Sequence, residues 1–336
     1  MDSEKKSYEK ILSILTEKKL PSHDEIFEIT EKVSDILETE ITAYRPAADD
    51  KSPGGLIDLS ESPLPLIVVP DLHARPDFLL NILNYKINGD ASVWNELENK
   101  KINIVFVGDI LHTERNTRQR WLDIQEEFNQ ENYTGPLITA EMKEGLSLLW
   151  ALLMLKTLFP DNCHILKGNH ENILNVTGDG DFSFKKYSDE GQMCKIFIQE
   201  YYGDDVLYMI SCVEKVLPLV FLSGNCVVSH AEPVRGFTLE EIINCRLCKG
   251  VVEGLTWTAN DAAEEGSVDS IIKALAGITE CDSFVYLGGH RPVSGKYSLR
   301  QNGRYIQIHN PSHQRIAIVD CGRKFNPETD IVEVGR

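Results

Sequence analysis

A short polar motif follows each of five apolar runs in this chain, and this repeated pattern restricts the fold more than any other feature. The apolar runs are residues 66–69, 104–107, 165–166, 227–228 and 284–287. The motifs that follow them are Asp71-Leu72-His73, Gly108-Asp109, Gly168-Asn169-His170-Glu171, Ser229-His230 and Gly288-Gly289-His290. Because α/β proteins place ligands at the carboxyl ends of their strands, the pattern predicts one shared site on a layered α/β core.

The side chains in these motifs are of the kinds that bind metal ions. Asp, His and Asn offer oxygen and nitrogen donors that suit Mn, Fe or Zn. Asp71 and His73 are two residues apart, so on a strand end both side chains point to the same side and both can bind one ion. Two such ions close together hold a nucleophile and a phosphate oxygen for in-line displacement. The sequence therefore predicts two divalent or trivalent metal ions, of manganese, iron or zinc.

In this order the motifs resemble those of the calcineurin-like metallophosphoesterases, and more narrowly of the phosphoprotein phosphatase branch, over about residues 60–325. Gly168-Asn169-His170-Glu171 is the most specific match, and residues 306–320 resemble the closing hairpin of that family. The resemblance implies a double β-sheet sandwich flanked by helices, and hydrolysis of phosphomonoesters on protein side chains by a metal-bridging hydroxide. It also implies six metal ligands, with the third of them shared between both ions: Asp71, His73, Asp109, Asn169, His230 and His290.

The resemblance gives His170 the role of general acid, which protonates the leaving alkoxide. Such a histidine needs a carboxylate behind it to hold the imidazolium. The family's aspartate is replaced here by His112, so we expect Glu114 to serve instead, with Glu171 as the second candidate. The loop after the second motif is therefore where the chain departs from the family pattern.

The cations that would bind the phosphate also depart from the family pattern. We expect Arg115 and Arg291 to replace two family arginines that are missing from their usual positions. Lys167 occupies a third arginine position and would supply a point charge. His313 replaces a tyrosine that lies over the phosphate in the family, and an alternative interpretation makes His309 and His313 metal contacts.

Three segments of different character follow one another along the chain. Residues 1–45 are predicted to form a helical hairpin outside the family resemblance, with a capping box at Ser22 and Glu25. We expect the hairpin to pack on the domain, and a partner-binding surface there is the alternative. Residues 46–63, rich in proline and glycine, are expected to form a linker or surface loop. Residues 64–336 would then form the catalytic domain.

Composition restricts the partners and the compartment. A formal net charge of -18 disfavours binding to nucleic acid, which needs clustered Lys and Arg. The longest apolar stretch, residues 146–155, is shorter than the roughly 20 residues of a membrane span. With no signal peptide apparent, we expect no membrane association and a cytoplasmic protein with reduced cysteines. Cys245 and Cys248 form a lone CxxC, which we interpret as structural.

Two other functions stay open on the sequence alone. One is hydrolysis of a small phosphate ester or a dinucleoside polyphosphate. The other is a metal-binding pseudoenzyme or scaffold on the same fold, which the residues His112 and Thr113 favour because they replace the family's charged pair. The complete set of expected metal ligands favours an enzyme, so the preferred function is a binuclear metal-dependent phosphatase.

Overall fold

The computed structural model describes residues 2–114 and 117–335. Its helices are α1 (Asp2–Glu17), α2 (His23–Glu38), α3 (Pro76–Asn84), α4 (Val93–Glu98), α5 (Thr117–Asn129), α6 (Pro136–Leu158), α7 (Glu190–Tyr202), α8 (Asp204–Val216), α9 (Leu239–Ile243), α10 (Val251–Thr256), α11 (Ser267–Ala276) and α12 (Pro327–Asp330). Its strands are β1 (Leu56–Leu59), β2 (Leu66–Val69), β3 (Lys86–Asn88), β4 (Ala91–Ser92), β5 (Asn103–Phe106), β6 (Cys163–Ile165), β7 (Val220–Ser223), β8 (Cys226–Ser229), β9 (Val285–Gly288), β10 (Ser298–Arg300), β11 (Tyr305–Gln307), β12 (Arg315–Val319) and β13 (Ile331–Glu333).

Two mixed sheets pack face to face at the centre of the molecule. The first sheet has the strand order β13-β12-β2-β5-β6, and the second has the order β1-β7-β8-β9-β11-β10. In the first sheet β2, β5 and β6 run parallel, and in the second β8, β9 and β11 run parallel. Parallel strands bring their carboxyl ends to one edge of a sheet, so the polar motifs that follow these strands gather there.

Both faces of the central strands of each sheet are buried, which explains why these strands are continuous apolar runs. Val68 of β2 and Leu287 of β9 point into the space between the sheets and belong to the central core. Their neighbours Ile67 and Tyr286 point the opposite way, into cores that helices cover on either outer face. Side chains alternate along a strand, and here both faces meet apolar neighbours. The predicted sandwich flanked by helices is confirmed.

The N-terminal hairpin packs directly on the helical layer. Ser22 caps α2 through its hydroxyl, and the Glu25 carboxylate accepts a hydrogen bond of 3.1 Å from the Ser22 backbone N–H, as the sequence predicted. Ile14 of α1 and Val33 of α2 are fully or almost fully buried in the same core as α6 and α8. The hairpin therefore shares a hydrophobic core with the rest of the chain.

The structure differs from the sequence-based expectation in two segments. Residues 56–59, inside the expected linker, form strand β1, which pairs in parallel with β7 and buries Leu56 and Ile57. The neighbouring prolines and glycines concealed this short apolar run. Residues 306–320 do not form a hairpin, because β11 belongs to the second sheet and β12 to the first. The chain between these strands instead crosses from one sheet to the other.

The longest described helix, α6, accounts for the longest apolar stretch of the sequence. Its residues Leu146, Leu148 and Leu152 are fully buried in the helical layer beside the first sheet. Apolar character all round a helix is expected where neighbours cover every side. Within residues 2–114 and 117–335, no helix is both long enough and apolar enough to cross a membrane.

Candidate metal centre

The polar segments after the parallel strands converge around one cavity at the shared edge of the two sheets. Its volume is about 230 Å³. The residues that line it are His73, Asp109, Glu114, Asn169, His170, Ser183, Phe184, Lys185, Lys186, Trp257, His290, Arg291 and Pro292. Carboxylate, amide and imidazole groups from several strand ends therefore face the same space.

One group of donor atoms, which we call the amide cluster, comprises Asp109, Asn169, His230 and His290. The Asn169 Oδ1 atom lies 2.9 Å from His230 Nε2 and 2.9 Å from His290 Nδ1. His230 Nε2 also lies 3.5 Å from Asp109 Oδ2. These separations are short enough for the four side chains to surround a single ion, and they are the set that the resemblance implies for the second ion.

A second group, which we call the aspartate cluster, comprises Asp71, His73, Asp109 and His309. His73 Nε2 lies 3.9 Å from Asp71 Oδ1 and 3.6 Å from Asp109 Oδ2. His309 Nδ1 lies 3.6 Å from Asp71 Oδ2. Asp109 belongs to both clusters, which is the arrangement expected of a carboxylate shared by two ions. On the sequence alone His309 is only an alternative metal contact, although it follows strand β11 as the expected ligands follow their strands.

The imidazole rings are held so that one nitrogen of each faces the carboxylates. His73 Nδ1 lies 3.1 Å from the carbonyl oxygen of His112, and His230 Nδ1 lies 3.0 Å from that of Val107. A carbonyl oxygen only accepts, so each Nδ1 carries the proton and each Nε2 is left as a free donor of electrons. This is the tautomer in which a histidine binds a metal ion through Nε2.

The electrostatics of the centre favour a cation. His73 Nε2 and His309 Nδ1 are buried and make no hydrogen bond within the described part of the chain. Burial lowers the pKa of His73 to about 3, so this ring is neutral, as a metal ligand must be. Burial and the nearby Glu171 and Asp71 charges raise the pKa of Asp109 well above its ordinary value. Buried ring nitrogens without a partner and carboxylates crowded together both cost free energy, and bound cations would remove both costs. The residues present therefore fit two metal ions.

The backbone is strained where it presents these ligands. His73, Asp109 and His290 have positive φ angles of 43°, 52° and 64°. Residues with a Cβ atom rarely adopt this left-handed conformation, and such strain concentrates at functional sites. The backbone N–H of His290 donates to the Asp71 carboxylate at 2.9 Å, which holds the two ligands in register.

Glycine is required where two motifs approach each other most closely. A Cβ atom on Gly289 would lie 1.8 Å from Asp71 Oδ2, and one on Gly168 would lie 2.3 Å from Asp109 Oδ1. No side chain fits at these distances, so the strand ends come together only because these positions lack a Cβ atom.

Glu171 joins two ligand-bearing segments through the backbone. Its carboxylate accepts hydrogen bonds from the N–H groups of Asp109 at 2.8 Å, Ile110 at 2.9 Å and Gly168 at 2.7 Å. These bonds use both carboxylate oxygens, so the side chain orders the loops after β5 and β6 instead of holding His170.

His170 lines the cavity, and no carboxylate of residues 2–114 and 117–335 accepts a hydrogen bond from its ring. Its Nε2 atom lies 3.8 Å from Asp109 Oδ2, and its ring packs on Phe184 with a centroid distance of 3.9 Å. His112 lies beside it at a centroid distance of 5.2 Å. The Nδ1 atom of His170 has no hydrogen-bond partner among the described residues. Burial, together with the neighbouring histidines, lowers the pKa of His170 well below its ordinary value.

The expected support of His170 by Glu114 is corrected by the structure. Glu114 Oε2 lies 3.0 Å from His309 Nε2, and its Oε1 accepts a hydrogen bond of 2.9 Å from Lys186 Nζ. The turn at His112, with a positive φ of 66°, directs the following segment toward the aspartate cluster. Glu114 therefore contacts His309 of the aspartate cluster and not the expected general acid His170.

Cations at the cavity differ in part from those expected. Arg291 lines the cavity, is exposed and forms no ion pair with a described residue. Lys185 and Lys186 also line it and were missed, because nothing in their sequence context distinguishes them from surface lysines. Arg115 lies outside the described residues.

Lys167 and His313 do not reach the cavity. Lys167 Nζ lies 3.2 Å from Asp181 Oδ1 and donates to the carbonyl oxygen of Glu171, so its charge is used within the loop. His313 Nδ1 lies 2.9 Å from Glu333 Oε1 near the end of the chain. The crossing between the two sheets turns His313 outward and brings the buried His309 inward.

Comparison with known proteins identifies the fold. No family profile matches the sequence, and no curated protein matches it. A protein serine/threonine phosphatase from Saccharomyces cerevisiae, described as similar to human phosphatase PP5, is 15% identical and superposes with a TM-score of 0.59. The superposition covers 94% of this chain and 90% of that chain. The shared fold therefore extends over nearly the whole chain.

Two further solved structures superpose more loosely. A cold-active protein tyrosine phosphatase is 15% identical, with a TM-score of 0.45 over 79% of this chain and 75% of its own. A putative diadenosine tetraphosphatase is 14% identical, with a TM-score of 0.41 over 84% of this chain and 99% of its own. The chemistry of the centre is therefore inferred from its own geometry.

Proposed function

We propose that this chain, whose fold is that of the calcineurin-like metallophosphoesterases, is a phosphoesterase that depends on two metal ions. The observation that carries the proposal is the meeting of two donor clusters at one shared carboxylate. Asp109 Oδ2 lies 3.6 Å from His73 Nε2 of the aspartate cluster and 3.5 Å from His230 Nε2 of the amide cluster. A carboxylate placed between two such sets is suited to a binuclear centre.

Each ion would be held by one cluster. Asp71, His73, Asp109 and His309 would bind the first, and Asp109, Asn169, His230 and His290 the second. Bound ions supply Lewis acidity, which polarises a phosphoryl group and activates water for attack. The mixture of carboxylate, amide and imidazole donors suits manganese, iron or zinc.

His170 would donate a proton to the leaving group. It lines the cavity, its ring packs on Phe184, and its backbone N–H donates a hydrogen bond of 2.9 Å to Asp109 Oδ1. In the free protein, burial lowers the pKa of this imidazole and keeps it neutral. A phosphate dianion in the cavity would favour the protonated ring, because an adjacent negative charge raises the pKa of a histidine.

Arg291 would supply positive charge to the substrate, because it forms no ion pair with a described residue, whereas Lys185 pairs with Asp189 and Lys186 with Glu114. Arg291 follows His290 in the sequence, and its forked guanidinium group can donate to two phosphoryl oxygens. Lys185 and Lys186 line the same cavity. Local cations matter here because the chain carries a formal net charge of -18, which repels a phosphorylated substrate at long range.

The size of the cavity supports a phosphomonoester on a protein side chain as substrate. Its volume of about 230 Å³ is smaller than the roughly 300–1,000 Å³ of sites that enclose a whole small molecule. A phosphoryl group with a short side chain fits such a space while the remainder of the substrate stays outside. A dinucleoside polyphosphate would require more enclosed volume.

The test is an activity panel on protein stripped of metal and reconstituted separately with Mn²⁺, Fe²⁺ and Zn²⁺. Phosphoserine, phosphothreonine and phosphotyrosine peptides are compared with nucleotides and an aryl phosphate. We expect metal-dependent turnover of the peptides and the aryl phosphate. Turnover of nucleotides alone would move the substrate class to small phosphate esters, and full metal occupancy without turnover of anything would indicate a pseudoenzyme.

A further inference from the structure

A continuous chain of polar contacts runs from the surface of the cavity to the aspartate cluster. Lys186 Nζ donates to Glu114 Oε1 at 2.9 Å, and Glu114 Oε2 lies 3.0 Å from His309 Nε2. On the far side of the same ring, His309 Nδ1 lies 3.6 Å from Asp71 Oδ2. Lys186, Glu114 and His309, from distant parts of the sequence, thus form a row of contacts that ends at the predicted ligand Asp71.

The contact with Glu114 determines which nitrogen of His309 carries the proton. A carboxylate only accepts hydrogen bonds, so the ring donates from Nε2, and Nδ1 is left with its lone pair directed to Asp71. That Nδ1 atom is buried and has no hydrogen-bond partner in the described part of the chain. His73 and His230 are held in the same manner through their other nitrogens by backbone carbonyls.

We propose that Glu114 is a positioning residue that fixes the tautomer and orientation of His309, so that His309 binds the metal ion of the aspartate cluster through Nδ1. The proposal rests on the binuclear site proposed above. A carboxylate behind a ligating histidine also raises the basicity of the ring, and its removal commonly weakens metal binding by roughly 10–100-fold.

Lys186 extends this arrangement to the segment that borders the cavity. It neutralises the second oxygen of Glu114, whose side chain is only 13% exposed. The same segment carries Phe184, which packs on His170. The loop that contacts the expected proton donor is therefore also tied, through Glu114, to His309 of the aspartate cluster.

A different role for Glu114 is direct binding of the ion. Its Oε2 atom lies 3.6 Å from His73 Nε2, a separation compatible with two ligands of one metal. The two roles differ in their dependence on His309. A positioning carboxylate has an effect only while His309 is present, whereas a ligand contributes whether His309 is there or not.

The experiment measures binding of Mn²⁺ alone to the full chain by equilibrium dialysis and electron paramagnetic resonance. Wild-type protein, Glu114→Gln, His309→Gln and the double variant are compared, with thermal unfolding in chelator as the control for folding. We expect two bound ions in wild type, and affinity for one of them reduced by roughly 10–100-fold in Glu114→Gln. The double variant should bind no more weakly than His309→Gln.

The adjacent Lys185 and Lys186 provide a matched pair of variants that perturb the fold less than a change at the buried cluster. Lys186→Met should lower the affinity for the same ion. Lys185→Met should leave that affinity unchanged, because Lys185 pairs with Asp189 instead. If Glu114→Gln leaves both affinities unchanged, or weakens binding equally with and without His309, the positioning role is overturned. If wild type itself binds no Mn²⁺, the failure lies in the proposed binuclear site.

Discussion

The strand-end side and the loop side of the cavity are built in different ways. On the strand-end side, His230 follows β8 directly, and Asp71 and His290 come two residues after β2 and β9. On the loop side, Glu114 and Lys186 come from segments that belong to neither sheet. The first side is positioned by buried strands, and the second by polar contacts such as the Lys186 to Glu114 pair.

This difference shows which parts of a site tolerate change. A strand buried on both faces cannot slip by one residue without turning its apolar side chains outward, so the ligands at its end are fixed. A loop held by ion pairs can exchange one cation for another nearby. The expected metal ligands of this chain accordingly keep the residue types that the resemblance implies, whereas the cations expected around the phosphate differ from it.

The largest effect should come from Asp109→Asn, which tests the strand-end side at its shared ligand. The amide lacks the charge that two ions require, so turnover should fall by more than the ~10–100-fold typical of positioning residues. Bound metal should fall with it, as measured by elemental analysis beside an aryl phosphate assay. Removal of metal from wild type with a chelator should reproduce the loss, and Mn²⁺ should reverse it.

Asp181→Asn is the matched control for this experiment, because Asp181 pairs with Lys167 and is not a predicted ligand. It should keep both metal and turnover. If Asp109→Asn retained them as well, the two clusters would not share a ligand, and the contrast between the two sides of the cavity would lose its basis.

His170→Asn should have the next largest effect and separates chemistry from metal binding. Loss of a general acid lowers turnover by roughly 10²–10⁴-fold on alkyl phosphates, whose leaving groups need a proton. The loss should be smaller on aryl phosphates, and metal content should not change. His164→Asn removes another buried histidine, one that packs against Phe221, and should alter only stability. If turnover of alkyl and aryl phosphates fell equally, His170 would have a structural role and would not be the general acid.

Arg291→Ala should have a moderate effect and tests the loop side. We expect kcat/KM to fall roughly tenfold, which corresponds to ~1.4 kcal/mol for a lost contact with a charged group. Arg291→Lys should be intermediate, because a point charge replaces a fork. Metal content should stay at the wild-type level in both variants. A phosphate complex in which the Arg291 guanidinium points away from the anion would refute the assignment.

The smallest effect on the site should come from Glu214, which contacts the segment after the third motif and affects the pH dependence of stability. Its Oε2 accepts a hydrogen bond of 2.8 Å from the N–H of Ile173, just after the third motif. Burial raises the pKa of Glu214 from 4.5 to about 8. Between these values the folded protein keeps a proton that the unfolded chain releases, so stability falls as the pH rises through this window.

Glu214→Gln keeps an acceptor for Ile173 and does not ionise. In chelator, its Tm relative to wild type should therefore increase between pH 5 and pH 8, as followed by circular dichroism. Glu253→Gln removes a negative charge at an exposed position of α10 and should show no such trend. A difference in Tm that stays constant with pH would contradict a buried, protonated Glu214.

Much of the fold could be predicted because buried strands leave a strong signal. Residues 66–69 coincide with β2, and residues 284–287 differ from β9 by one residue at each end. Strand β1 was missed because its short apolar run lies among turn-forming residues. The closing hairpin was mistaken because two strands close in sequence join different sheets, which local patterns do not reveal.

The site was predictable to the extent that it depends on strand ends. The structure brings the expected ligands, from Asp71 to His290, close together at the carboxyl ends of the strands, but their binding of metal stays a prediction. His309 was underrated in favour of His313 because both lie in the segment that crosses between the sheets, and only the crossing geometry decides which one turns inward. Lys167 and Glu114 were misplaced for a similar reason, since their partners Asp181 and His309 are distant in sequence.

The origin of the ligands in both sheets has a consequence for the life of the protein. Asp71, Asp109 and Asn169 extend from the first sheet, and His230 and His290 from the second. Ions bound between these residues would link the two sheets. Each would add about 4 kcal/mol to the free energy of unfolding when free metal is 1,000 times its Kd. Loss of metal would then increase the unfolded fraction, which proteases cleave, and would also abolish activity. The abundance of the protein would therefore follow the supply of metal.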